Sequence, residues 1–184
     1  MESVPEEKQK NGLQPHLPKV QYSNSQPVWH YVLLSIVTFS IYDIYWFYRN
    51  WKHLKAHKRS EIRPGWRTAG LIVPILNLVL IYWQFSDIKD YATQVGCKKK
   101  YSPGWLIWGY FVLKALWKLP AFWWLLTFFS VLPLATVQET LNEYWGIEQS
   151  GLKGRKMLTG WEIVLLFIGA IAWLFVFINI LRPE

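Results

Sequence analysis

The chain has 184 residues, of which 52% are hydrophobic and 18% aromatic, with 13 tryptophans and a net charge of +8. So many amphipathic rings argue against an ordinary soluble domain and place the chain at a lipid boundary, where Trp and Tyr settle between acyl chains and headgroups. The basic surplus is then expected to meet anionic headgroups rather than nucleic acid, and the single cysteine, Cys97, excludes an internal disulfide framework.

Residues 1–27 are polar, proline-rich and aperiodic, which predicts a disordered tail ahead of a helical membrane domain over 28–184. Four apolar stretches follow, Trp29–Tyr48, Trp66–Phe85, Trp105–Val137 and Trp161–Leu181. The first, second and fourth are close to the roughly 20 residues that a helix needs to cross hydrocarbon. The third is longer and is interrupted by Lys114, Lys118 and Pro120. It suits one tilted span with an interfacial helix, or two helices meeting at Pro120.

Each stretch opens on a tryptophan that follows a breaker, as in Pro64-Gly65-Trp66 and Pro103-Gly104-Trp105. Trp29, Trp66, Trp105 and Trp161, together with Trp46 and Trp83 at the far ends of the first two stretches, are therefore expected as interface anchors. An ungapped offset of 37 aligns Pro27 with Pro64, Trp29 with Trp66, Leu34 with Leu71 and Ile44-Tyr45-Trp46 with Ile81-Tyr82-Trp83. Units 27–63 and 64–100 are read as a duplication. A third copy needs an insertion between Trp105 and the Leu134–Trp145 region.

The first three stretches run on into amphipathic helices. Phe47, Trp51 and Leu54 share one face, as do Ile81, Phe85, Ile88, Ala92 and Val95, and Leu134, Val137, Leu141 and Trp145. Such helices are expected to lie in the interface plane.

Four or five straight spans divide the 20 Lys and Arg residues evenly between the two sides, against the usual cytoplasmic excess. Re-entrant hairpins breaking at Thr38-Phe39-Ser40, at Pro74 and Asn77, and at Pro120 instead gather all of them except Lys114, Lys118 and Arg182 on one side. The spacing of Trp29 and Trp46, however, suits belts on opposite faces of a bilayer. Both arrangements give an all-α membrane protein with four or five hydrophobic helical segments and flanking amphipathic helices.

The run Thr38-Phe39-Ser40-Ile41-Tyr42-Asp43-Ile44-Tyr45-Trp46-Phe47-Tyr48 resembles a family of small uncharacterised prokaryotic membrane proteins with a T-x-G-I-Y-x-x-Y-W-x-Y hallmark. Ser40 stands in place of its glycine. The resemblance implies a membrane protein and supplies no catalytic residue.

Candidate chemistry is sparse. His53 and His57 have a chelating spacing but no third ligand nearby. Asp43 is an ionisable group inside an apolar stretch, with Arg67 and Lys114 as candidate partners, and Asn77 follows Pro74 in a broken helix. Lys114 and Lys118 are expected to snorkel, Glu162 to face water at a helix start, and Cys97, beside Lys98–Lys100 whose charges favour the thiolate, to be an ordinary thiol near the interface. No nucleotide, hydrolase or metalloprotease motif is present, so no cofactor, metal or enzymatic activity is expected. The leading expectation is a multi-pass protein of the cell membrane with cytoplasmic basic loops. It binds anionic lipid through Arg49, Lys52, Lys55, Lys58, Arg59, Arg63 and Arg67, and pairs with itself or a membrane-protein partner. The alternative is a small transporter or channel subunit using Asp43 and Asn77.

Overall fold

The structure, a computed structural model, describes residues 25–58, 61–151 and 153–181. Most of the expected tail, together with Arg59 and Arg182, lies outside them. Among the described residues every regular element is helical.

Helix α1, Val28–Val37, turns at Thr38-Phe39-Ser40 into α2, Ile41–Lys58. The turn has the paired bonds of a Schellman motif, Ser40 N–H to Ser35 O at 2.7 Å and Phe39 N–H to Ile36 O at 3.2 Å. Phe39 and Ser40 take φ of 51° and 67°, a left-handed conformation that costs a residue with a Cβ roughly 1–2 kcal/mol. Thr38 spans the turn, donating to Leu34 O and accepting from Tyr42 N–H. The two helices lie back to back, with the rings of Tyr31 and Trp46 5.4 Å apart.

The second stretch also folds back on itself. Helix α3, Pro64–Gly70, and α4, Pro74–Gln94, each start on a proline, which needs no N–H partner in the first turn. Shifting the Tyr31–Trp46 pairing by the offset of 37 sets position 68 opposite Trp83, and neighbouring Arg67 lies 5.9 Å over the Trp83 ring. Helix α4 ends in a second Schellman motif. Gly96 supplies φ 81°, and Cys97 N–H reaches Ala92 O at 2.9 Å.

The third hairpin is longer. Helix α5, Pro103–Ala115, extends through a 3-10 turn, Leu116–Lys118; the chain returns as a 3-10 helix, Trp123–Ser130, leading into α6, Val131–Glu148. Helix α7, Gly160–Leu181, stands alone. By length and composition two helices qualify as membrane spans, Trp123–Glu148 and α7, where four or five hydrophobic segments were expected. The first two stretches fall short because their turns interrupt them.

The three hairpins close on one another. Helix α2 packs on α3, α4 on α5, and α6 on α1, so each hairpin's return helix meets the opening helix of the next and the third returns to the first. The return helices α2, α4 and α6 carry the core. Phe47, Trp51, Ile81, Phe85, Ile88, Leu134, Val137 and Leu141 are all buried. These are the amphipathic stripes expected to lie on lipid. They face one another instead, because three stripes at matching positions exclude solvent mutually, each buried side chain contributing roughly 1.5–3 kcal/mol.

Helix α7 leans on α1. Gly169 lets the two backbones touch, since a Cβ there would collide with Val37. The Trp173 indole donates to Ile36 O at 3.2 Å and stacks on Phe39 at 4.9 Å. Glu162 meets Tyr42 at 3.0 Å, so the first turn lies roughly 16 Å along α7 from Glu162, and Leu174–Leu181 extends about 12 Å beyond it.

Candidate functional site

Two polar clusters occupy the interior. The first is built on Asp43, buried in the opening turn of α2. Its Oδ1 accepts from the Tyr31 hydroxyl at 2.9 Å and the Ser35 hydroxyl at 2.6 Å. Lys114 Nζ, from α5, stands 3.6 Å from Oδ2 and donates to Ser40 Oγ at 2.6 Å. Of the two partners expected for Asp43, Lys114 is the one that meets it, in an ion pair rather than by snorkelling to headgroups. Arg67 turns to Asp87 at 3.9 Å and to the Trp51 ring.

Asn77 lies outside this cluster. Its Oδ1 is buried without a hydrogen-bond partner in the first turns of α4, so the structure does not join it to Asp43 in one polar site. Pro74 opens α4 and frees no carbonyl within it.

The second cluster surrounds Glu162, which is fully buried rather than facing water. Glu162 completes half of a capping box, accepting from the Thr159 backbone N–H at 2.8 Å. Arg155 donates to both its oxygens at 2.9 and 2.7 Å, and Tyr42 donates to Oε1 at 3.0 Å. Arg155 also donates to Gln26 Oε1. From Gln26 the bonds pass to Asn142, then from Asn142 Oδ1 to Gln138 Nε2 at 2.8 Å and from Gln138 Oε1 to the Trp46 indole at 2.6 Å. Gln26 Nε2, His30 Nδ1, Arg155 Nε and Thr159 Oγ1 remain buried without partners around it. The segment before α1 and the loop before α7 are thereby fastened to the bundle.

Trp46 is thus a core residue, 1% exposed, and not an interface anchor. Its indole N–H finds Gln138, which makes burial cheap. The other five expected anchors are at the surface, from 41% exposure at Trp161 to 75% at Trp66. Between the two clusters the rings of Tyr31, Tyr42 and Trp46 interleave in an aromatic layer.

The expected lipid-binding residues divide. Lys52 and Arg63 are exposed, and Arg49 and Lys55 partly so. Lys58 pairs with Glu148 at 3.5 Å, and His57 Nε2 lies within hydrogen-bond distance of the same carboxylate at 3.1 Å. Lys98 and Lys99 bind Glu143 through their backbone N–H groups, and Lys99 Nζ reaches Glu139 at 2.6 Å. That loop folds over Cys97. Burial, and then the Glu143 carboxylate, push the thiol pKa up, and the Lys99 ammonium is turned to Glu139.

A search for relatives found no matching family model, curated protein or solved structure.

Proposed function

We propose that the chain is a non-enzymatic integral membrane protein whose three hairpins enter one leaflet from the cytoplasmic side and whose helix α7 crosses the bilayer. The observation that carries this reading is α7. Its 22 residues, about 33 Å of helix, are apolar all round, and only 6% of its most apolar window is buried. A core helix of a soluble protein would be covered; here Val164, Phe167, Ile168, Ile171, Leu174 and Phe175 are bare.

Depth supports the re-entrant arrangement. The first turn ends roughly 16 Å along α7, about half of a hydrocarbon core of some 30 Å. Hairpin turns expose Ile41, Ile72, Val73, Trp117 and Phe122, whereas the opposite ends carry Lys52, Arg63, Lys89, Lys98, Lys99 and Lys100. Duplication of the unit, with a lengthened third copy, accounts for the shared geometry. The exposed cations at the base bind anionic headgroups, each contributing roughly 1 kcal/mol. The aromatic layer between the two polar clusters favours this structural role over a transport path through Asp43.

The test is cysteine accessibility in a Cys97→Ser background, with single cysteines at Ala56, Lys100 and Leu181, all exposed. An impermeant maleimide added to intact cells is expected to label Leu181→Cys alone, and all three after lysis. Opposite labelling of the Ala56 and Lys100 sites would mean that α3–α4 crosses the membrane, and would end the re-entrant reading.

A further inference from the structure

A cavity of ≈ 700 Å³ lies where the three hairpin turns converge. Phe39 and Ser40 of the first turn, Pro74 of the second, and Phe111, Lys114, Lys118 and Phe128 of the third hairpin line it. The size is ordinary for a small-molecule site, and so is the composition, an apolar and aromatic wall with few polar groups. The wall is also strained, since its Phe39 and Ser40 hold the positive φ angles. Strain of this kind persists where surrounding structure enforces it, and it gathers at binding sites.

The charges in the wall do not cancel. Lys114 is balanced by Asp43 at 3.6 Å. Lys118 forms no ion pair with a carboxylate among the described residues. One exposed ammonium is therefore left over at the rim of an apolar cavity, and inside the hydrocarbon of the membrane reading above an unpaired charge is costly. A monoanion removes that cost and an apolar tail fills the remaining volume.

We propose that this cavity binds one acyl chain carrying a monoanionic head, which pairs with Lys118 and accepts a further hydrogen bond from Lys114. A fatty-acid carboxylate and the phosphodiester of an acidic phospholipid both have that chemistry. The proposal rests on the membrane reading above.

The test uses the full chain in a neutral detergent with radiolabelled oleate and, separately, radiolabelled phosphatidylglycerol, each competed with neutral monoolein. Saturable one-to-one binding of either anion, not displaced by monoolein, is expected, and whichever binds identifies the source. Lys118→Gln is expected to weaken it about tenfold, the worth of one hydrogen bond to a charged group. Ala115→Trp, which fills the cavity from its exposed rim, is expected to abolish it. Absence of saturable binding, displacement by monoolein, or unaltered binding in both variants would overturn the site. Should Ala115→Trp fail to fold, Lys118→Gln decides alone. Alkaline carbonate washing of the source membranes separates the two readings. A chain that stays in the membrane yet binds neither anion loses the cavity proposal only, whereas a chain that is released loses the membrane reading and the site with it.

Discussion

The Asp43 carboxylate of the first hairpin and the Lys114 ammonium of the third stand 3.6 Å apart, and Lys114 also donates to Ser40 in the first turn. The pair fastens the beginning of the ring to its end. Removing one member leaves a buried charge, a change that typically costs about 3–5 kcal/mol, whereas removing both together is close to neutral. Asp43→Asn and Lys114→Met are each expected to lower the thermal midpoint of the detergent-solubilised chain by many degrees, and the double variant to recover most of the loss. Additive losses in that double-mutant cycle would show that the two charges do not act as a pair.

Ser40 gives a second expectation with an inverted sign. Alanine normally outranks glycine in helical surroundings. Here φ is 67°, where a Cβ costs roughly 1–2 kcal/mol. Ser40→Ala loses the Lys114 hydrogen bond and keeps the strain; Ser40→Gly loses the same bond and relieves it. Ser40→Gly is therefore expected to be more stable than Ser40→Ala by about 1 kcal/mol, measured as the order of unfolding midpoints. The reverse order would place the strain elsewhere.

Much of this architecture is legible in the sequence. The apolar stretches, their tryptophan openings, the breaks at Ser40 and before Pro74, and the offset of 37 all have local signatures. What escapes is set by partners far along the chain. Trp46 carries the same composition signal as Trp29, and only Gln138 at 2.6 Å makes it a core residue. Glu162 looks like a solvated helix start until Arg155, Gln26 and Tyr42 surround it, and two of those three come from irregular segments without periodicity. The amphipathic stripes of α2, α4 and α6 have the pattern of lipid-facing helices and of core helices alike. Their mutual packing is a property of ring closure, which no single stripe encodes.

Gly169 separates packing from insertion. A side chain there collides with Val37 of α1, but the outward faces of α7 remain apolar. Gly169→Leu is expected to lower the thermal midpoint and free the Trp173 indole from Ile36, while the chain still resists carbonate extraction. Loss of carbonate resistance would mean that α7 enters lipid only as part of the packed bundle.

Cys97 offers the last expectation. It is 5% exposed, sealed by the Lys98–Lys100 loop that Glu143 grips. Burial and the Glu143 carboxylate both raise its pKa, so at neutral pH the thiolate fraction falls below that of a free cysteine. Only the thiolate attacks an alkylating reagent. Iodoacetamide is therefore expected to modify Cys97 in the native chain far more slowly at pH 7 than a solvent-exposed Lys100→Cys in a Cys97→Ser background. The rate is expected to keep rising with pH beyond the ordinary thiol range. Glu143→Gln removes the charge that raises the pKa and loosens the loop together, so it is expected to speed modification at pH 7. Both effects move the midpoint to lower pH, since a loosened loop also relieves the burial that raises the pKa. Fast alkylation of native Cys97 at neutral pH, with a midpoint below the ordinary cysteine value, would show that the three lysines govern the thiol instead.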